Sequence, residues 1–392
     1  MVSSPTFFNT DTDHGGGRSD RDLHSSVMIA GVSRGVQLAR PEMGVTVMGG
    51  DVATCAHVAA MAERSSFASA WTAEFYDRSA TVSLAAMAAA TSRIRLGSAI
   101  MYALARTPLL TVAEARDLDE LTRGRFVLGL GTGTRQQVAA WHGLDADHLA
   151  PRLEELVPLL RRLWRFREGQ FTHEGRFYRL SLRPSLEVRP PIRADLEVWV
   201  AGVNTRMVEA AGRVGDGLVG HPLFTPEYVA EVVRPALVRG AELAGRRIAV
   251  PIAGYMICAV AEHADQARLD AASQVAFSAV VRAFDPIQRL HGFDSEIAEI
   301  RGAFRAGDLR RMSAHVSERM LETFAVYGTP DEARQRYRAR FAGVYEQPLL
   351  LFPCMGVEPG RLREGWTAVI NTFGPLAEEA AKRVSSSAPG PQ

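Results

Sequence analysis

The length and charge balance of the chain exclude several classes of protein. It has 392 residues, of which 47% are hydrophobic and 23% are charged, and its formal net charge is +1. These values are typical of a globular protein and provide no general electrostatic attraction to nucleic acid or to an anionic membrane. No apolar run approaches the roughly 18 residues that a transmembrane helix needs. We therefore expect neither a nucleic-acid partner nor a membrane partner.

The cysteines and the two ends of the chain point to a reduced protein with loosely structured termini. Cys55, Cys258 and Cys354 form an odd, widely separated set with neither disulfide-framework nor metal spacing. We expect a cytoplasmic location and no metal site. Residues 1–40 lack hydrophobic periodicity and the apolar core of a secretory signal, which predicts a disordered or loosely packed arm. Residues 385–392 are expected to be a frayed tail.

Between these ends, in residues 41–384, eight candidate strands alternate with helical sequence. Each is a short apolar run followed by a longer segment with helical periodicity. Eight such units predict an α/β fold, a (β/α)8 or TIM barrel with insertions. A doubly wound open sheet is the alternative, but no ligand-binding fingerprint follows the first strand. The candidate strands are Gly44–Met48, Ser69–Ala73, Ile94–Ile100, Phe126–Leu130, Leu196–Ala201, Gly217–Gly220, Pro251–Ala259 and Pro348–Phe352.

Two segments are longer than a minimal barrel requires. Residues 165–195 contain FTHEGRFYRL, which alternates in polarity around Glu174-Gly175 and predicts a small hairpin. Residues 260–325 are mostly helical in pattern and unusually long for one connection.

A glycine-rich loop directly follows the fourth candidate strand. Residues Gly131–Thr134 lie between Phe126–Leu130 and a helical segment that begins near Arg135. Glycines let backbone amides approach a phosphate, and the start of a helix adds the positive end of its dipole. A second loop, Ala201–Thr205, follows the fifth candidate strand in the same way. Simple turns and helix caps are the alternatives at both loops.

A set of short motifs on both sides of the first glycine-rich loop forms a recognisable pattern. Its residues are Leu84-Ala85-Ala86, Thr91, Arg93–Gly97, Met101, Arg106–Pro108, Leu118-Asp119, Gly124–Phe126, Leu128–Gly131, Gln137-Val138 and Trp141–Gly143. In this pattern the sequence resembles the luciferase-like flavin and deazaflavin oxidoreductases, and most of all the branch that uses the deazaflavin coenzyme F420. The resemblance runs through most of residues 44–375.

The resemblance implies a cofactor at the carboxyl ends of the barrel strands. It implies a non-prolyl cis peptide at Ala99–Ile100 against the cofactor ring, and contacts from both glycine-containing loops to the cofactor phosphate. The insertion at residues 260–325 would cover the mouth of the barrel. The implied cofactor-binding residues are Ser98, Ala99, Ile100, Gly131, Thr132, Gly133, Thr134, Gln137, Gly202, Val203 and Asn204.

Polar side chains near the ends of several candidate strands supply possible acids and bases. These candidate catalytic residues are Asp51, Glu74, His142 and His221. A salt bridge to an arginine is the alternative role for such a carboxylate, and a structural role is the alternative for each histidine.

The residues expected to line the mouth favour an apolar or aromatic organic substrate. They are Tyr76, Met101, Tyr102, Phe224 and Tyr255. The family segment around Glu74 and Tyr76 is matched only in part, because Asp77 stands where the family has glycine and Ser79 where it has aspartate.

The resemblance therefore implies a coenzyme F420-dependent oxidoreductase that transfers hydride between C5 of the deazaflavin and a small organic substrate. A monooxygenase that uses reduced flavin mononucleotide (FMN) and oxygen is the first alternative, and a non-catalytic flavin-binding barrel is the second. We also expect a homodimer. The segment Thr81–Thr91 is almost without charge, and similar family members use this part of the barrel as a two-fold interface. The alternative is that the N-terminal arm covers this helix.

Overall fold

In the computed structural model, which describes residues 42–247 and 249–385, eight parallel strands close into a barrel. The predicted arm and, apart from Ser385, the predicted tail lie outside the described residues. The strands are β1 (Gly44–Val47), β2 (Ser69–Thr72), β3 (Arg95–Ser98), β4 (Met101–Tyr102), β5 (Phe126–Gly131), β6 (Phe171–Glu174), β7 (Arg179–Leu182), β8 (Val198–Ala201), β9 (Gly217–Val219), β10 (Ile252–Val260), β11 (Ala325–Gly328) and β12 (Gln347–Leu351).

The order of pairing around the barrel is β1-β2-β3-β5-β8-β9-β10-β12, and β12 pairs with β1 to close the ring. All eight predicted strands are present, so the predicted TIM barrel is confirmed. The two-residue strand β4 continues the third strand and pairs with β5. The predicted hairpin is the antiparallel pair of β6 and β7. The sequence did not predict β11, which pairs with the carboxyl half of β10.

Helices connect the strands and surround the barrel. They are α1 (Val52–Arg64), α2 (Ala80–Ala90), α3 (Pro108–Thr122), α4 (Leu149–Arg165), α5 (Thr205–Val214), α6 (Pro226–Tyr228), α7 (Arg234–Leu243), α8 (Ala264–Ala279), α9 (Asp285–Leu290), α10 (Asp294–Arg305), α11 (Leu309–Ala314), α12 (Glu318–Phe324), α13 (Pro330–Arg336) and α14 (Pro359–Ser385). Helices α8 to α12 make up the long insertion. Within the described ranges, no helix has the length and apolar character needed to cross a membrane.

Two tryptophans fill the middle of the barrel. The rings of Trp71 on β2 and Trp199 on β8 meet edge to face, with centroids 5.8 Å apart. Glycines on the neighbouring strands make room for them. A Cβ placed on Gly97 would lie 2.2 Å from the Trp71 ring, and one on Gly217 would lie 2.3 Å from the Trp199 ring. The barrel is therefore a packed core rather than a channel.

The amino-terminal end of the barrel is closed by polar contacts, and the other end is left apolar. Near the start of the strands, Arg95 Nη2 donates to both carboxylate oxygens of Glu197 at 2.7 Å. The cluster inside the barrel also has three half-buried members, Met48, Ile100 and Ala201, which lie at or just beyond the carboxyl ends of their strands. We call these three residues the floor, because they form the apolar base of the barrel mouth.

Candidate active site

The predicted cofactor-binding residues come together at the ends of three adjacent strands. β3 pairs with β5, and β5 pairs with β8, so the segments that follow them are neighbours. A Cβ placed on Gly131 would lie 2.3 Å from Ile100 Cδ1 and 3.1 Å from Ala201 Cβ. Gly131 therefore touches two floor residues, and this position has no room for a side chain.

The peptide bond between Ala99 and Ile100 is cis, as the family resemblance predicted. The Ala99 amide donates to Thr72 O at 2.7 Å. The Tyr255 hydroxyl, in the barrel interior, donates to Ala99 O. Ser98 Oγ donates to Gly129 O and accepts from Gly129 N, both at 2.8 Å. The segment that precedes Ile100 is therefore hydrogen-bonded to both neighbouring strands, β2 and β5.

The loop after β5 carries a reciprocal cap at the start of its helix. The Thr134 amide donates to Gln137 Oε1 at 2.7 Å, and the Gln137 amide donates to Thr134 Oγ1 at 3.2 Å. The Thr132 hydroxyl donates to Gly133 O at 2.9 Å. Thr134 Oγ1 acts here as an acceptor, so its own hydrogen can still be donated to an anion. The predicted residues Thr132 and Gln137 instead hold the loop in shape.

The loop after β8 approaches its helix closely. A Cβ on Gly202 would lie 3.0 Å from the backbone of Met207, at the start of α5. The Asn204 side chain accepts from the Met207 amide at 3.1 Å, and Val203 O accepts from the Tyr228 hydroxyl at 3.0 Å. Asn204 is therefore the cap of α5. Together with the previous loop, this places two helix amino-termini beside the floor, which favours the binding of an anionic group between them.

Glu74, a predicted acid or base, forms a buried ion pair. Its Oε2 accepts from Arg106 Nη1 at 2.6 Å and from the Tyr102 amide at 2.8 Å, and Arg106 also donates to Glu74 Oε1. Arg106 Nε contacts Glu114 Oε2 at 2.9 Å. Burial would lower the pKa of Arg106, but the hydrogen bonds and charges of Glu74 and Glu114 raise it overall. The structure thus matches the alternative role, a salt bridge.

Asp51 caps a helix. Its Oδ1 accepts from the Thr54 amide at 2.7 Å and from the Thr54 hydroxyl at 2.6 Å, at the start of α1. These hydrogen bonds lower the pKa of the exposed Asp51 carboxyl. With this lowered pKa, the Asp51 carboxylate is a weaker proton acceptor at neutral pH.

The two histidines follow different strands, His142 in the segment after β5 and His221 in the segment after β9. The ring of His142 packs against Tyr102 with centroids 4.9 Å apart. Its Nε2 is buried and has no hydrogen-bond partner among the described residues. His221 Nδ1 accepts from the Leu223 amide at 3.2 Å, and its ring packs on Phe284 of the insertion with centroids 3.7 Å apart. Burial lowers the pKa of His221 to about 3, and the residue as a whole is half-buried.

Only one of the five predicted substrate-lining residues, Tyr76, is exposed. Its exposed fraction is 74%, whereas Tyr102 is buried beside His142. Met101 and Phe224 are buried in the main hydrophobic core between strands and helices, and Tyr255 is buried inside the barrel. The structure therefore does not bring Met101, Phe224 or Tyr255 to the surface of the mouth.

Sequence reasoning missed several residues that shape this region. The ion pair between Arg106 and Glu74 was not predicted, because the two residues are 32 positions apart along the chain. Phe75 and Trp141, whose ring centroids are 5.2 Å apart, lie on loops after different strands. Phe284 could have been suspected only from its position in the insertion. Among residues 42–247 and 249–385, no cluster of three or more histidines, cysteines or carboxylates is arranged to hold a metal.

Comparisons with known proteins show which family the chain is similar to. A sequence model of the luciferase-like monooxygenase family matches residues 35–346. An uncharacterized protein of Mycobacterium tuberculosis is 33% identical over 310 residues, which are 77% of this chain and 90% of that protein. The 5,10-methylenetetrahydromethanopterin reductase of Methanopyrus kandleri is 26% identical over 312 residues, which are 75% of this chain and 87% of the reductase.

The fold is also similar to a solved structure. The coenzyme F420 dependent tetrahydromethanopterin reductase from Methanopyrus kandleri superposes with a TM-score of 0.71, over 86% of this chain and 98% of that one. The two sequences are 22% identical over this alignment, so the likeness is one of fold.

Proposed function

The chain belongs to the luciferase-like monooxygenase family, and on this basis we propose that it is an oxidoreductase dependent on the deazaflavin coenzyme F420. One observation carries the proposal: Ile100 and Ala201 of the floor lie beside two helix amino-termini at the ends of three adjacent strands. The match at Gln137–Gly143 to the F420-using branch supports the choice of cofactor. So does the likeness to the reductases of Methanopyrus kandleri.

The residues present fit a tricyclic ring with a phosphate-bearing side chain. Ile100 and Ala201 offer a partly exposed apolar surface, and Gly131 between them has no side chain that could obstruct a flat ring. The Thr134 hydroxyl and the amides that begin the two helices would bind the phosphate. The ring would thus lie on the floor while the phosphate is held next to the loops after β5 and β8.

The chain itself would supply orientation and a hydrogen-bond donor. When bound, the deazaflavin ring transfers hydride at C5. Glu74 and Asp51 are already committed to Arg106 and to the cap of α1. Since Nδ1 of His221 is an acceptor, its neutral ring carries the hydrogen on Nε2 and could donate it to a substrate oxygen. His142, with its unpaired Nε2, is the candidate for contact with the cofactor or for proton transfer.

Equilibrium titration with F420 and with FMN tests this proposal. The expected result is saturable binding of F420, followed by its fluorescence, with at least tenfold weaker binding of FMN. Tighter binding of FMN would overturn the cofactor assignment and favour the monooxygenase alternative. Binding of neither would overturn the proposal altogether. The retention of both loops argues against a barrel that has lost its cofactor.

A further inference from the structure

Three aromatic side chains form an exposed cluster at the rim of the mouth. Phe75 and Tyr76 follow β2, and Trp141 follows β5; we call these three residues the aromatic platform. Their ring centroids are 4.4 Å apart for Phe75 and Tyr76, 5.2 Å for Phe75 and Trp141, and 5.6 Å for Tyr76 and Trp141. Tyr76 is 74% exposed and Trp141 is 37% exposed. The rings are too close together to enclose a ligand, so they offer an outer surface.

Hydrogen bonds tie the aromatic platform to the segment that carries the floor. The Glu74 amide, next to Phe75, donates to Ile100 O at 2.9 Å. The Glu74 side chain in turn accepts from the Tyr102 amide. On the other loop, His142 follows Trp141 and packs on Tyr102. Both halves of the platform are therefore anchored to residues 100–102, at the edge of the proposed cofactor site.

The exposure of Trp141 is unusual for this chain. The other four tryptophans, Trp71, Trp164, Trp199 and Trp366, are fully buried in hydrophobic cores. Trp141 ends a π-helical turn that spans Gln137–Trp141. Such turns contain one extra residue and are frequent at functional sites. The turn directs Trp141 to Phe75 and Tyr76 while its neighbour His142 packs on Tyr102.

We infer that the aromatic platform binds a planar aromatic ring of the substrate. This inference rests on the proposed function, because it assigns a substrate class to the same mouth. Aromatic rings favour edge-to-face and offset contacts with other rings, which add to the burial of apolar area. The platform is anchored to residues 100–102, which include Ile100 of the floor, and this place suits a small molecule that must also reach the cofactor ring.

Calorimetric titration with two uncharged alcohols of the same carbon skeleton, the aromatic 2-naphthol and the saturated decahydro-2-naphthol, tests the inference on the full chain. The wild type should bind 2-naphthol at least tenfold more tightly than decahydro-2-naphthol. Tyr76→Ala and Trp141→Ala should each weaken 2-naphthol binding about tenfold, whereas Trp141→Phe should retain most of it. Leu186→Ala, which truncates an exposed leucine on the segment after the hairpin, is the matched control and should have no effect.

Equal affinity for the two alcohols would overturn the inference, and so would unchanged 2-naphthol binding in both alanine variants. If the alanine variants leave 2-naphthol binding unchanged and also lower the oligomeric mass, the platform is a contact between copies of the chain. F420 titration of the same samples separates the two proposals. Aromatic selectivity without F420 binding contradicts only the proposed cofactor, and F420 binding without aromatic selectivity contradicts only the platform.

Discussion

The rings of His221 and Phe284 pack with their centroids 3.7 Å apart and their planes tilted by 37°. This contact joins the segment after β9 to the long insertion. Because burial lowers the pKa of His221 to about 3, its imidazole is neutral at physiological pH. The Leu223 amide occupies Nδ1. His221 is therefore arranged as a hydrogen-bond donor at Nε2 rather than as a general base.

Replacing His221 by glutamine should change how stability depends on pH. The pKa of His221 in the folded protein is lowered from 6.5 to about 3. Between these values the unfolded chain binds a proton that the folded chain does not, so stability falls as the pH falls. Relative to His221→Gln, the wild type should lose about 1–2 kcal/mol of unfolding free energy between pH 7 and pH 5. Urea unfolding at the two pH values measures this, and a parallel loss in both proteins would contradict it.

Ligand binding should order the part of the insertion that faces the mouth. Phe284 contacts His221, and His291 Nε2 lies 2.9 Å from the Thr225 hydroxyl, so two side chains connect this part to the barrel. Amide hydrogen exchange in residues 282–305 should be faster than in β10 and should slow when F420 binds. Phe284→Ala should increase the exchange rate without ligand. Exchange as slow as in β10, both with and without ligand, would show that the insertion is a rigid part of the barrel.

Adding a methyl group at Gly131 should weaken cofactor binding. The new Cβ would lie 2.3 Å from Ile100 Cδ1, so Ile100 must move on the floor. We expect F420 affinity to fall roughly tenfold, which is about 1.4 kcal/mol. Gly302→Ala is a suitable control, because nothing lies within 4 Å of its Cβ position in α10. If Gly131→Ala folds and binds F420 as the control does, Gly131 is not part of the site.

Breaking the Glu74–Arg106 pair should destabilise the protein. Their side chains are 6% and 15% exposed, so Arg106→Met would leave a buried carboxylate without its charge partner. The expected loss is about 3–5 kcal/mol of unfolding free energy, part of which Glu74→Gln should restore in the double variant. Arg268→Met breaks a much more exposed pair with Glu318 and should cost about 0–1 kcal/mol. Similar losses for the two single variants would contradict a structural role for the buried pair.

The exposed face of α2 and α3 should mediate the proposed homodimer. Val82 on α2 and Leu109 and Leu110 on α3 are large apolar side chains that remain exposed. Light scattering should give about twice the chain mass of 42.7 kDa. Val82→Glu should shift the protein to the monomer, whereas Leu186→Glu, a control on the segment after the hairpin, should not. A wild-type mass that remains near that of one chain at high concentration would contradict the dimer.

The sequence was sufficient to locate the barrel strands, because each is a buried apolar run bounded by helical sequence. It was not sufficient for Ala325–Gly328, since this strand begins at the residue that caps α12 and no turn signal separates the two. The helix starts after β5 and β8 were predictable, because glycine, threonine and asparagine have definite roles at the start of helices. Which of their side chains remain free for a ligand depends on hydrogen bonds that only the structure gives.

The expected substrate-lining residues show that a position just after a strand does not by itself predict that a side chain faces the mouth. Met101 directly follows Ile100 of the floor. It belongs to β4, however, and is buried in the core between the strands and the helices. Phe224 lies beyond β9, where the chain has already turned into the core. The role of Glu74 depended on Arg106, a partner 32 positions along the chain that no local spacing identifies. Long-range packing therefore decided which of the predicted residues lie at the mouth.

A crystal structure of the full chain with F420 would show directly where the cofactor binds. The deazaflavin ring should lie on Ile100 and Ala201, with its phosphate between the helix starts at Thr134 and Asn204. The ring should lie within reach of His142 or His221. A ring bound away from Ile100, or a phosphate that contacts neither helix start, would show that the floor and the two loops are not the cofactor site.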